Sequence, residues 1–95
     1  MYNSNVASLF QGDMSSKDIV DQAFNILENK FLDRDKVIVN FNSITFVSVH
    51  FLERLELAIQ KANELSIQFQ ITNISPNIYK VFQVSKSKRI LGICV

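Results

Sequence analysis

Between Ile44 and Leu55, in the stretch ITFVSVHFLERL, the hydrophobic period changes from that of a strand to that of a helix, with a histidine where a small polar turn would be usual. A strand that feeds a helix this directly commits the chain to a β-α unit. Just before it, Val37 to Phe41 is rich in β-branched residues and apolar on both faces, as expected of a central strand covered on each side in a parallel or mixed sheet. Asn42 and Ser43 make a turn, and Ile44 to Val47 forms a short extended piece that delivers the chain to Ser48. From there Leu52, Leu55, Ala58, Ile59, Ala62 and Leu65 mark an amphipathic helix capped by Ser48. Its outer face carries Glu53, Arg54, Glu56, Gln60, Lys61 and Glu64.

The flanking segments complete an alternation of strands and helices. Residues 5 to 10, NVASLF, are expected to form a short first strand. From Ser15 to about Phe31 the residues Ile19, Val20, Ala23, Phe24, Leu27 and Phe31 recur at helical spacing, with Ser15 or Ser16 as cap and Asp18 in the first turn. The cluster DRDK, residues 33 to 36, reads as a solvated turn. Residues 67 to 72, IQFQIT, alternate strictly, which turns Ile67, Phe69 and Ile71 to a core and Gln68, Gln70 and Thr72 to solvent. Ser75 followed by Pro76 starts a third helix whose buried side is Ile78, Val81 and Phe82. The run SKSKR, residues 85 to 89, breaks that helix, and ILGICV is expected as a closing strand. The implied architecture is a small α/β sandwich, a mixed β-sheet of about four strands with helices packed against it, forming one domain over residues 1 to 95.

Composition removes several classes of function. A chain of 95 residues, 47% hydrophobic, can bury one core and has no room for a second. The uncharged stretch over residues 37 to 51 is too polar and too short for a bilayer span, and no basic segment followed by an apolar one opens the chain; a cytoplasmic location is expected. Cys94 is the only cysteine, which excludes an internal disulfide, a two-cysteine redox motif and a cysteine-based zinc site. A formal charge of +1 lacks the electrostatic footprint of a nucleic-acid binder. No cofactor and no metal are expected.

The segment VIVNFNSITFVSVHFLERL resembles the signature of the STAS domain, the module shared by anti-sigma factor antagonists and the cytoplasmic tails of sulfate transporters. In that family a buried strand is followed by a second apolar stretch and an Asp-Ser-Ser/Thr-Gly-Leu loop at a helix start. IQFQITNISPNIYKVF looks like the family's next strand, its Ser-Pro helix start and the following helix, so the likeness runs over roughly residues 37 to 95. By position, Asn40 stands for the strand aspartate, Ser48 for the loop aspartate, Val49 for the phosphorylatable serine, His50 for the next hydroxyl residue, Phe51 for the glycine and Leu52 for the leucine. The resemblance implies a signalling role in transcription regulation and a protein partner of the ATP-binding anti-sigma kinase type. Valine has no oxygen to phosphorylate, so the family's charge switch is not implied here.

The residues themselves give two sharper expectations. The first is a non-enzymatic protein-binding module whose contact surface comprises Ser48, Val49, His50, Phe51, Glu53 and Arg54, within the strand-to-helix loop 47 to 54. Val49 and Phe51 project to solvent there as a sticky patch if the helix keeps its register; otherwise the helix begins differently and buries Phe51. The second is a phosphoacceptor at Ser48, where helix amides would stabilise a phosphate, or at His50, which is also placed to act as a titrating switch. Against these stand plain capping by Ser48 and a partly packed loop histidine. An accessory subunit of a membrane transporter and a homodimer formed through sheet edges complete the alternatives. The basic run Lys86, Lys88 and Arg89 reads as solvated.

Overall fold

The structure is a computed structural model that describes residues 9 to 95. In chain order its elements are β1 (Gly12–Met14), α1 (Lys17–Asn29), β2 (Lys36–Asn40), β3 (Ile44–Val47), α2 (Val49–Glu64), β4 (Gln68–Thr72), α3 (Pro76–Ser85) and α4 (Lys88–Gly92). The α/β expectation holds. The strands form two parallel pairs, β1 with β3 and β2 with β4, rather than one mixed sheet. Parallel pairing requires a crossover, and each pair gets one from a helix of the other elements' connection: α1 lies between β1 and β3, and α2 between β2 and β4.

β2 and β4 are the best-formed pair, because both alternate. Val37 lies opposite Phe69 and Val39 opposite Ile71, all four buried, while Gln68 faces out as expected. The ladder continues past β2 through the Phe41 amide, which donates to the Thr72 carbonyl at 3.0 Å. β1 is short and irregular. Gly12 takes φ +68° at a register shift, a left-handed conformation that glycine adopts without strain, and its amide donates to Ser43 O at 2.8 Å.

Two expected strands need correction. Of the strand expected at residues 5 to 10, residues 5 to 8 lie outside the described residues, and Leu9 and Phe10 are not in a strand. The expected closing strand ILGICV is instead α4 and a short tail: Ser87 Oγ accepts from the Ile90 amide at 3.3 Å and starts a helical turn that buries Ile90. Only Cys94 pairs in the manner of a strand, as an isolated parallel bridge to Ile71.

The helices start at the expected caps. Ser16 Oγ accepts from Ile19 N, Ser48 Oγ from Phe51 N and Ser75 Oγ from Ile78 N, with Pro76 just inside α3. α3 ends where Lys86 turns left-handed at φ 60°, within the SKSKR run. The buried residues form one cluster, and its centre is aromatic. Phe51 sits with its ring centroid 5.8 Å from Phe10, 5.2 Å from Phe24 and 5.8 Å from Phe41, all three inclined edge-to-face, and Phe82 adjoins Phe41 at 6.4 Å. This ring cluster joins α1, α2, α3 and the end of β2, so it fixes where the first turn of α2 lies.

Candidate functional site

α2 presents three different sides, and the residues expected to act together are divided among them. At 100° per residue Phe51, Leu55, Ala58 and Ala62 fall on one stripe, and all four are buried. Phe51 is 0% exposed. The expectation that it projects to solvent is therefore corrected, and the helix keeps it in the core because Ser48 caps the amide of Phe51 itself, setting the register from which Phe51, Leu55, Ala58 and Ala62 align. Val49, by contrast, is 72% exposed, as expected.

The second side faces α1. His50 Nε2 is 2.7 Å from Asp21 Oδ1, and Arg54 Nη1 donates to the same oxygen at 2.8 Å. The other Arg54 nitrogen, Nη2, donates to Asn25 Oδ1 at 3.1 Å and to Glu28 Oε2 at 3.4 Å, and the guanidinium carbon stands 5.6 Å from the centre of the Phe24 ring. Lys61 Nζ extends the row to Glu28 Oε1 at 3.6 Å. The His50 hydrogen bond holds the Asp21 carboxyl below the usual carboxylate range, partial desolvation opposes it, and Arg54 adds to the lowering. His50 and Arg54 are thus occupied in clasping two helices together. Asp21, Asn25 and Glu28 were not singled out from the sequence, although their spacing of four and three residues places them on one face of α1, opposite the matching spacing of His50 and Arg54.

Ser48 stands between the two. Its hydroxyl accepts from the Phe51 amide at 3.1 Å and donates to Met14 O at 3.4 Å, tying the start of α2 to β1. Its bonds run to backbone rather than to His50, so the Ser48 hydroxyl is not positioned by the Asp21–His50 pair.

The third side of α2 opens on an apolar groove of about 820 Å³. Val49, Leu52 and Leu57 line it from α2, Val81 and Val84 from α3, and Ile90 from α4. Leu57 is 56% and Val84 72% exposed. Val81, expected on the buried side of α3, lies at this edge with 37% exposure. Glu53 and Glu56 are the carboxylates of the lining. Glu56 is engaged by Ser87 Oγ and by Arg89 Nη1 at 3.6 Å, so Arg89 of the basic run is paired while Lys86 and Lys88 are exposed. Of the six residues expected to form the contact surface, Val49 and Glu53 belong to this groove. The lining residues that the sequence reading missed had a signal: Leu57 falls outside the buried stripe of α2, and Val81 and Val84 are three apart on α3.

Among the described residues no group of three or more potential ligands could hold a metal ion, and no helix is long and apolar enough to cross a membrane. Among the described residues, fold and surface together define a compact α/β unit of four helices and two small parallel sheets, with an apolar groove between the helices. No protein-family model matches the chain, and neither a curated protein nor a solved structure matches it.

Proposed function

We propose that this protein is a non-enzymatic regulatory module that binds a protein partner in the groove between α2 and α3. The observation that carries this is the exposure of Val49, Leu57 and Val84 along a single concave surface. Isolated exposed apolar residues are ordinary on any protein, but several converging on one cavity form a surface that gains free energy when covered. The likeness of residues 37 to 95 to the STAS domain supports a signalling role and suggests the partner class, an ATP-binding anti-sigma-type kinase. It does so at the equivalent end of the equivalent helix, since Val49 stands in place of the phosphorylatable serine and lines the groove. Phosphorylation of Ser48 would remove the proton that it donates to Met14 O and bring a phosphate beside that carbonyl, although Ser48 could still accept from the Phe51 amide; the lost tie to β1 favours the binding role over the phosphoacceptor role.

The test is affinity capture from native lysate with the wild-type chain, Val84→Lys and Val49→Asp. Both positions are open to solvent, and a lysine near the end of α3 and an aspartate at the start of α2 suit the helix dipoles, so both variants are expected to melt like the wild type. A protein recovered by the wild type and lost by both variants is expected. Equal recovery by all three refutes the groove as the binding surface. Phe51→Asp is unsuitable here, because it would put a carboxylate in the ring cluster and unfold the domain.

A further inference from the structure

The walls of the groove restrict the form of what can fill it, given the binding role proposed above. All three elements that line it are helices, whose backbone amides and carbonyls are consumed internally apart from their ends. The hydroxyls in the lining are also engaged: Ser85 Oγ donates to Phe82 O at 2.6 Å, and Ser87 Oγ bonds the Glu56 carboxylate. An extended segment laid in this groove would find no free strand edge to pair with, leaving its own buried backbone unsatisfied. A helix satisfies its backbone internally and offers the groove only side chains.

Length and charge narrow the occupant further. The α2 wall runs from Val49 to Leu57, about 12 Å along the axis, which matches roughly two turns of a partner helix. The lining contains two carboxylates and no basic side chain. Glu56 already has Ser87 and Arg89, whereas Glu53 has no hydrogen-bond or ion-pair partner among the described residues. Glu53 lies one turn beyond Val49 and one turn before Leu57, so its charge stands midway along the apolar wall. We infer that the groove receives an amphipathic helical segment of the partner, which lays apolar residues between α2 and α3 and sets a lysine or arginine against Glu53. Shape supplies the hold and Glu53 selects by charge, since an acidic residue at the same place on a competing helix would be repelled.

Selection of a displayed library of random peptides on the full-length chain tests this, followed by fluorescence anisotropy of the enriched peptides on wild type, Val84→Lys and Glu53→Lys. Peptides with apolar residues at i, i+3 or i+4, and i+7, carrying a lysine or arginine on the same face and gaining helical circular dichroism when bound, are expected. Glu53→Lys should weaken them by about tenfold, and replacing the peptide's basic residue with glutamate should restore binding to that variant. Val84→Lys should weaken them by at least about tenfold while melting like the wild type. Peptides lost on Val84→Lys that bind without helix or without the charge exchange overturn the helical-partner inference and leave the groove as a binding surface. Peptides that bind Val84→Lys and wild type equally, or a selection that enriches nothing, overturn both. Sedimentation showing a wild-type dimer that Val84→Lys dissociates identifies the occupant as a second copy and overturns the inference.

Discussion

Truncating Phe51 tests the placement of α2 more severely than any other single change. The side chain is 0% exposed and its ring meets three others at 5.2 to 5.8 Å, so Phe51→Ala removes a large buried side chain from a site that rigid neighbours prevent from collapsing. Phenylalanine-to-alanine changes in such settings cost about 3–5 kcal/mol, and three edge-to-face contacts place this one toward the upper end. Total stability for a single domain is about 5–15 kcal/mol, so even a 3 kcal/mol loss, on the order of 12–24 °C in melting temperature, is a large part of it. Val49→Ala, two residues away, removes a side chain that is 72% exposed and should stay within about 0.5 kcal/mol. Urea titration followed by circular dichroism measures both. A Phe51→Ala loss below about 1 kcal/mol, or a greater loss for Val49→Ala, would mean that the first turn of α2 is rotated from the register described and that the groove is lined by other residues.

The Asp21 carboxyl, held low by His50 and Arg54, makes stability depend on pH in a defined direction: the unfolded chain binds the proton more tightly, so the contribution is complete above about pH 4 and is lost as pH falls through the lower folded value. Below pH 4 wild-type stability should fall more steeply than that of Asp21→Asn, and parallel curves would contradict the clasp. Ser48→Ala should cost about 1 kcal/mol and Ser48→Thr clearly less, because threonine keeps both the cap acceptor and the proton that Met14 O accepts; equal losses in urea titration would show that capping is not what serine does there. Burial pushes the Cys94 thiol up, with Sγ 3.2 Å from Ile90 O, so iodoacetamide should label it more slowly in the folded chain than in urea, and equal rates would place the tail in solvent.

Long, capped, periodic elements could be read from the residues, and short ones could not. α1, α2 and α3 begin at serines that the sequence offers as caps, and β2 and β4 announce themselves by alternation. β1 is only Gly-Asp-Met, too brief to carry a period, and its pairing with β3 depends on contacts distant in the chain. ILGICV is expected as a strand, but six residues are too few for periodicity to separate strand from helical turn, and Ser87 decides it by capping Ile90. At the candidate site the exposure of Val49 is legible, but the stripe expected from Leu52 omits Phe51, the first buried residue of α2. Leu65 is in phase with that stripe but is 46% exposed, because it is the C-cap residue beyond the last helical position. The division of the loop residues among three surroundings depends on α1 and α3, which contribute Asp21 and Val84 from far along the chain.

The three-sided character of α2 has an evolutionary consequence. Because Val49, Glu53 and Leu57 are not members of the ring cluster and make no hydrogen bond or ion pair with α1 among the described residues, mutations in this outward row can accumulate and, on the binding role proposed, retune which partner is recognised, while the inward row stays frozen by folding. One helix would thus let a lineage change its interlocutor without reinventing its architecture.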